Sequence, residues 1–254
     1  MTDSSRIRGG KTSIDYAATQ SFFEERGRRN YRSALSTTMY QDNDPELVEQ
    51  RDKREKEAVA GILAAEQAKC VLDIGCGIGR WGWFLAERRP DVEYLGIDFS
   101  SALIEKASQE AVLRECPQLR FQVMSATDIQ PQALALQPPY DLILISGLLI
   151  YLNDDDCLKL IQDAGRLCAP NGRIYIREPV GIEERFTLDR FYSNELADEY
   201  SAIYRTISEL DEIIAQALVD ARFARKVGDF LFPETLEKRA ETRQYYTILQ
   251  REGE

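Results

Sequence analysis

One stretch decides the fold of this chain: Val71-Leu72-Asp73-Ile74-Gly75-Cys76-Gly77-Ile78-Gly79-Arg80. A short apolar run, Val71 to Ile74, leads directly into glycines at alternate positions, and a segment with helical character, Trp81 to Arg88, follows. Glycine is needed where the backbone takes a positive φ or comes within contact distance of a ligand. Amides at the start of a helix offer donors and the positive end of the helix dipole. The stretch therefore predicts a strand, a ligand-binding loop and a helix.

The spacing of the glycines distinguishes between classes of cofactor. A dinucleotide fingerprint reads G-x-G-x-x-G, whereas Gly75, Gly77 and Gly79 form G-x-G-x-G with Asp73 two places before the first glycine. A carboxylate there repels a pyrophosphate and suits a ligand with an ammonium group and a sulfonium. The pattern D-x-G-x-G-x-G resembles motif I of the class I S-adenosylmethionine-dependent methyltransferases. From the glycines alone, an ordinary glycine-rich turn between a strand and a helix explains the pattern as well as a cofactor-binding loop does.

The segments after the loop favour the methyltransferase interpretation because they follow the family's order. A second strand pattern, Val92 to Ile97, ends at Asp98, where an acidic residue accepts hydrogen bonds from ribose hydroxyls. Phe99 then offers an apolar wall for an adenine ring. Further strand patterns follow at 119–123, 140–146 and 167–176, the last with an Asn171-Gly172 turn.

The resemblance implies a role for each matching residue. Asp73 orders the loop and faces the cofactor ammonium, Asp128 meets the adenine amine, and Ser146 lies under the methionine chain. Ile78-Gly79-Arg80 also resembles the "G-I-G-R" of the α-N-terminal protein methyltransferases, in which the arginine pairs with the cofactor carboxylate. The expected cofactor-binding residues are Asp73, Gly75, Cys76, Gly77, Gly79, Arg80, Asp98, Phe99, Thr127, Asp128 and Ser146.

The expected fold is α/β: a Rossmann-like, seven-stranded, mostly parallel sheet with an antiparallel last strand, helices on both faces and an N-terminal helical cap. Residues 1–57 form the cap and 58–254 the methyltransferase domain, with a lid-like insertion around 179–205. Within the cap, Ser4 to Lys11 is expected to be mobile, and helices are expected at Ile14 to Arg28 and from Asp44-Pro45. Thr206 and Glu209 predict a capping box, and strands at 223–232 and 244–250 form an edge hairpin.

The acceptor pocket is expected between the cap and the lid-like insertion. An aromatic-rich lid suits a flat or cationic acceptor, and an aromatic mini-core under a long loop is an equal alternative. Simple packing is likewise an alternative for each tyrosine of the cap. The pocket candidates are Tyr16, Tyr31, Tyr40, Phe191, Tyr200 and Tyr204.

The chain has no histidine, which removes the commonest general base at neutral pH. Because the sulfonium activates the methyl group, positioning the nucleophile supplies most of the rate. For a poorly acidic alcohol the candidate bases are Glu178, Tyr151 and Asp154. The acidic run Asp154-Asp155-Asp156 is better explained by helix capping than by a metal site, so no metal is predicted.

Composition restricts the partners. The net charge of −11 and the pI near 4.8 disfavour a nucleic-acid substrate. No apolar run reaches the length of a membrane span and no signal peptide is evident, so a cytoplasmic location is expected. The five cysteines show no metal spacing and no disulfide framework. The oligomeric state, monomer or homodimer, is left open.

The sequence thus predicts an enzyme that uses S-adenosyl-L-methionine, releases S-adenosyl-L-homocysteine, and methylates a nitrogen or oxygen of a small organic acceptor in specialised metabolism. A peptide or protein amine is an alternative acceptor. Where the α-N-terminal methyltransferases have a histidine and an acidic residue at the peptide amine, this chain has Tyr151 and Tyr200, which disfavours that alternative. A degenerate cofactor-binding fold that serves as a partner-binding protein is the non-enzymatic alternative.

Overall fold

The structure is a computed structural model that describes residues 5–39, 44–65, 67–237 and 239–253. Its strands are β1 (Arg6–Arg8), β2 (Cys70–Ile74), β3 (Glu93–Asp98), β4 (Leu119–Val123), β5 (Tyr140–Ser146), β6 (Cys168–Gly181), β7 (Phe186–Ser193), β8 (Asp198–Tyr204), β9 (Phe223–Phe230) and β10 (Thr242–Arg251). Its α-helices are α1 (Tyr16–Arg28), α2 (Pro45–Val59), α3 (Arg80–Arg88), α4 (Ser101–Leu113), α5 (Asp154–Leu167) and α6 (Ile207–Ala217).

Seven strands form the central sheet in the order β4-β3-β2-β5-β6-β10-β9. Strands β2 to β6 are parallel, and β10, the last strand of the chain, runs antiparallel to both of its neighbours. Alternate residues of the inner strands are buried on opposite faces: Val71 of β2 joins the cluster that contains Trp81 of α3, and Leu72 joins the one that contains Leu160 of α5. Burial on both faces is typical of parallel sheets. The predicted α/β Rossmann-like fold is confirmed.

Local sequence signals explain where several helices begin. Asp44 caps α2, its side chain accepting the Leu47 N–H at 3.0 Å, and Pro45 occupies the first turn. At α6 the Thr206 side chain accepts the Glu209 N–H while the Glu209 carboxylate accepts the Thr206 N–H, which confirms the capping box.

A second, smaller sheet replaces two segments that were predicted to be irregular. Strand β1 pairs antiparallel with β7, and β7 with β8. The prediction of a mobile segment from Ser4 to Lys11 was wrong for its central residues, because the edge of β7 supplies backbone partners and both Arg6 and Arg8 form ion pairs with Glu241. The lid-like insertion is a strand pair rather than a loop.

The N-terminal extension is packed into the rest of the molecule. Helix α1 lies against α4 and β8, and the predicted boundary between residues 57 and 58 falls inside α2. Because α2 continues across that position, residues 1–57 do not end at a linker.

Candidate functional site

A cavity of about 730 Å³ lies at the carboxyl ends of the parallel strands. Its walls include the loop after β2, the end of β3, the residues after β4 and the end of β5. The strand order reverses direction between β2 and β5, and ligands of open α/β sheets bind at such a switch point. Helices α1 and α2 and the segment between β9 and β10 complete the wall.

The glycine loop contributes backbone to this cavity. Gly75 and Gly77 have φ of 71° and 56°, and both line the cavity. A Cβ atom on Gly77 would lie 2.7 Å from Thr38 Cγ2. Gly79 is the N-cap of α3, packs against the Phe121 ring and is absent from the cavity wall, so its contact with the cofactor stays a prediction.

Asp98 lies at the cavity wall at the end of β3, as predicted. Its Oδ2 accepts the Gly77 N–H and its Oδ1 the Ser100 N–H, both at 3.0 Å. Burial raises the pKa of its carboxyl group to about 6. Phe99 and Cys76 also line the cavity, and burial raises the pKa of the Cys76 thiol well above its ordinary value. The arrangement holds a carboxylate beside the glycine loop, where it can accept hydrogen bonds from hydroxyl groups.

Two other predicted acidic residues lie elsewhere. Asp73 is buried behind the loop and accepts a hydrogen bond from the Tyr94 hydroxyl at 2.6 Å. Asp128 is exposed and accepts a hydrogen bond from Gln130 Nε2 at 2.7 Å. Neither lines the cavity, whereas Thr127 does. The contacts of Asp73 with the cofactor ammonium and of Asp128 with the adenine amine stay predictions.

Arg80 lines the cavity, but its guanidinium already has acidic partners. Its Nη1 lies 2.8 Å from Asp52 Oδ1 and 2.8 Å from Glu55 Oε2, both on α2, and its Nη2 donates to Ser146 Oγ at 2.7 Å. Burial alone would raise the pKa of Glu55, but Arg177 and Arg80 outweigh burial and hold it well below its ordinary range. The predicted pairing of Arg80 with a cofactor carboxylate would therefore have to compete with these contacts, while Ser146 does lie at the cavity.

Of the candidate bases, Tyr151 alone lines the cavity. Glu178 accepts the N–H groups of Leu148 and Leu149 at 2.9 Å and of Ile150 at 3.3 Å, and burial raises its pKa to about 7. This carboxylate holds the backbone after β5, and Glu178 is not among the residues that line the cavity, so its role as a base stays a prediction.

Asp154 is likewise removed from the cavity. Its carboxylate contacts Arg185 and Arg205, and although burial favours its neutral form, these arginines lower its pKa to about 2. These contacts join α5 to Arg185 and Arg205, and the role of Asp154 as a base stays a prediction.

The predicted aromatic pocket is brought together only in part. Tyr16 and Tyr204 line the cavity. Tyr200 lies beside a neighbouring cavity of about 190 Å³ that shares Thr19 and Tyr151 with the first. Simple packing, the alternative given above, fits Tyr31 and Phe191 better. The Arg26 guanidinium lies over the Tyr31 ring, and Phe191 meets the Tyr200 ring edge-on. Tyr40 lies outside the described residues.

Several cavity residues were missed because they come from segments without a motif. Arg51 of α2 forms an ion pair of 3.0 Å with Glu237, and Arg177 Nη1 donates to Gln244 Oε1 at 3.1 Å. Arg239 also lines the cavity. No periodicity or spacing in the sequence marks these positions; only tertiary contact between α2, β6 and β10 assembles them.

No group of three or more His, Cys, Asp or Glu side chains is placed to hold a metal ion in the part of the chain that the structure describes. Among the same residues, every helix is too short or too polar to cross a membrane.

Comparison with known proteins identifies the domain. Residues 72–174 match the family model described as a methyltransferase domain. Phosphoethanolamine N-methyltransferase 1 of Triticum aestivum is 33% identical over 127 residues, which is 50% of this chain and 24% of that protein. Trans-aconitate 2-methyltransferase of Methylobacterium nodulans is 26% identical over 138 residues, 54% of this chain and 48% of that protein. The chain thus spans between a quarter and a half of the length of these relatives.

Solved structures share the fold over most of the chain. A SAM-dependent methyltransferase of Leishmania major has a TM-score of 0.65 at 18% identity, covering 92% of this chain and 82% of that one. Magnesium protoporphyrin IX methyltransferase of Synechocystis PCC 6803, solved with bound S-adenosylmethionine, has a TM-score of 0.61 at 16% identity, covering 95% of this chain and 100% of that one. Residues 72–174 thus match a methyltransferase domain, and the chain shares the fold of S-adenosylmethionine-dependent methyltransferases.

Proposed function

We propose that this protein transfers a methyl group from S-adenosylmethionine to a nitrogen or oxygen of a small organic acceptor, releasing S-adenosylhomocysteine. The nucleophile attacks the methyl carbon in line with the departing sulfur, so the protein's main task is to hold the two reactants together. The names of the relatives, which refer to phosphoethanolamine and trans-aconitate, support a small acceptor. Specialised metabolism and a cytoplasmic location remain predictions from the sequence.

One observation supports this proposal: residues expected to bind the cofactor and residues expected to contact the acceptor line the same cavity. Gly75, Gly77 and Asp98 line it at the end where the cofactor is expected. Tyr151 and Phe232 line the same cavity and offer apolar surface to an acceptor. Its volume of about 730 Å³ is within the range that ligand pockets occupy, roughly 300–1,000 Å³.

The positions of the candidate bases favour an acceptor that does not require a general base. Glu178 and Asp154 are held by backbone amides and by arginines away from the cavity. An amine that arrives deprotonated, a phenol or a carboxylic acid fits this arrangement. A poorly acidic alcohol fits it less well, because Tyr151 is the one predicted base that remains at the cavity.

Isotope transfer from the labelled cofactor tests the proposal. The protein is incubated with methyl-labelled S-adenosylmethionine and a cell extract separated into small molecules and proteins. We expect label in the small-molecule fraction with the wild type and with Asp128→Ala, and loss of most of it with Asp98→Ala. Label confined to the protein fraction overturns the small-molecule acceptor in favour of a peptide or protein amine. Tight binding of the cofactor without transfer to either fraction favours the partner-binding alternative.

A further inference from the structure

Arg239 differs from the other arginines of the cavity in having no acidic partner in the described part of the chain. Arg51 pairs with Glu237, and Arg80 and Arg177 pair with Glu55. Among the residues that the structure describes, no carboxylate lies within ion-pair distance of the Arg239 guanidinium. The Arg239 side chain is exposed at the cavity wall, where an anionic ligand can pair with it without displacing a carboxylate of the described residues.

Two tyrosine hydroxyls hold this guanidinium in place. Arg239 Nη1 donates to the Tyr204 hydroxyl at 2.9 Å, and Nη2 donates to the Tyr200 hydroxyl at 3.1 Å. Both tyrosines are buried, and the Tyr204 ring stacks on Phe186 with centroids 4.5 Å apart. The hydroxyls accept from Arg239, so the arginine is oriented without being neutralised. Such preorganisation lowers the entropic cost of binding a ligand.

The Arg239 guanidinium offers hydrogen-bond donors to a ligand. A guanidinium carries five N–H donors and no acceptor, and the two contacts above use two of them. The Tyr200 and Tyr204 hydroxyls also lie 3.5 Å apart, so that one of them can donate a hydrogen bond to the other. Carboxylates and phosphates match a planar guanidinium through paired, charge-assisted hydrogen bonds. Arg239 and Tyr204 both line the cavity that also contains Asp98, and Phe232 and Tyr151 supply apolar wall.

We propose that Arg239, together with Tyr204 and Tyr200, forms an oxyanion-binding subsite, so that the acceptor is an organic anion bearing a carboxylate or a phosphate. The proposal rests on the proposed methyl transfer, since it assigns the subsite to the acceptor. The subsite holds the anionic group at the acceptor end of the cavity and leaves the nucleophilic atom to approach the methyl group. A cofactor carboxylate is the competing occupant, and the test separates the two.

Equilibrium binding of three aromatic probes tests the subsite without knowledge of the acceptor. Benzoate, phenyl phosphate and benzamide are titrated by NMR into wild type, Arg239→Gln and the exposed control Arg222→Gln, each saturated with S-adenosylhomocysteine and again without it. We expect wild type and Arg222→Gln to bind at least one anion, and Arg239→Gln to bind it at least about tenfold more weakly. Binding of neutral benzamide should be the same in all three proteins. The preferred anion identifies the acceptor group as carboxylate or phosphate.

Further readouts keep this test separate from the proposed function. Tyr204→Phe, which keeps the ring and loses the hydroxyl, is expected to weaken anion binding several-fold, while Arg239→Gln should bind S-adenosylhomocysteine within about twofold of wild type. Equal anion affinity in wild type and Arg239→Gln, or no anion binding by wild type, overturns the subsite. So does a large loss of S-adenosylhomocysteine affinity in Arg239→Gln, which assigns the guanidinium to the cofactor. Anion binding by a protein that transfers no methyl group contradicts the proposed function and leaves the anion site standing.

Discussion

Arg80 and Glu55 form a buried ion pair, with 2.8 Å between Nη1 and Oε2, that joins the first helix after the glycine loop to helix α2 of the N-terminal extension. Glu55 also contacts Arg177 and accepts a hydrogen bond from the Tyr175 hydroxyl at 2.8 Å. One carboxylate of the extension thus balances two arginines of the sheet domain. The extension therefore supplies part of the cavity wall and is joined to the sheet by buried ion pairs.

Removal of this carboxylate should destabilise the protein. Glu55→Ala removes the carboxylate that contacts Arg177 and leaves Arg80 paired with Asp52, and breaking a buried pair in this way costs about 3–5 kcal/mol of the free energy of unfolding. Glu49→Ala, on an exposed face of the same helix, is the matched control and should change it by less than about 0.5 kcal/mol. Urea unfolding of both variants measures the difference. A similar, small effect of the two substitutions would show that the ion pair does not anchor α2.

Steric change in the glycine loop should affect the cofactor more than the fold. Gly77→Ala places a methyl group 2.7 Å from Thr38 Cγ2 at a φ of 56°, so the loop must shift at the cavity wall. We expect at least about tenfold weaker binding of S-adenosylhomocysteine. In Gly61→Ala the new methyl group meets nothing within 4 Å, and affinity should match that of wild type. Calorimetric titration compares the two, and unchanged affinity in Gly77→Ala would contradict the placement of the cofactor at this loop.

Cofactor affinity should depend on pH through Asp98. The ionised carboxylate accepts hydroxyl hydrogen bonds, and burial raises its pKa to about 6 in the free protein. Because protonation removes the acceptor, affinity should be highest above pH 6 and should fall as pH decreases through that value, approaching about tenfold per pH unit. Asp98→Asn should bind weakly at pH 8 and show little further loss at pH 5, whereas Asp128→Asn should behave as wild type. A pH profile of wild type that is flat from 8 to 5 would count against this role.

Glu178 should matter for stability and not for proton transfer. In Glu178→Gln one amide oxygen replaces two carboxylate oxygens that accept three backbone N–H groups, so the free energy of unfolding should fall by about 1–3 kcal/mol. The folded-state pKa of about 7 lies above the ordinary value, so ionisation of Glu178 lowers the stability of wild type as pH rises from about 4.5 to 7. That part of the pH dependence should disappear in the variant. The pH profile of methyl transfer, measured on folded protein, should be the same in Glu178→Gln as in wild type. If the decrease in rate at low pH disappears in Glu178→Gln, Glu178 acts as a base after all.

The sequence predicted the sheet and the cofactor loop because each depends on local chemistry. Apolar strands, a glycine loop and an acidic residue at the end of β3 follow one another along the chain, and Asp98 lies where that pattern places it. Asp73 and Glu178 could not be assigned in the same way. Both are acidic residues on or beside a strand end, but their side chains are taken up by Tyr94 and by the backbone of residues 148–150, which only the folded structure reveals.

The part of the cavity formed by α2 and the segment between β9 and β10 was least predictable because its residues come from distant segments. Arg51 and Glu237 are far apart in the chain and meet across the cavity wall at 3.0 Å. The predicted aromatic lid is largely a small core between strands, and of its candidates Tyr204 alone reaches the cavity. Composition gave no hint of Arg239, since a chain with a net charge of −11 does not suggest an anion-binding site.

The most direct test of the central claim is the equilibrium binding of S-adenosylhomocysteine, measured by calorimetry on wild type, Asp98→Ala and Asp128→Ala. Stoichiometric binding is predicted for wild type and Asp128→Ala. Asp98→Ala is predicted to bind about ten- to a hundredfold more weakly, since it loses charge-assisted hydrogen bonds to the ribose. No binding by wild type, or equal binding by wild type and Asp98→Ala, would contradict the assignment of this cavity as the cofactor site.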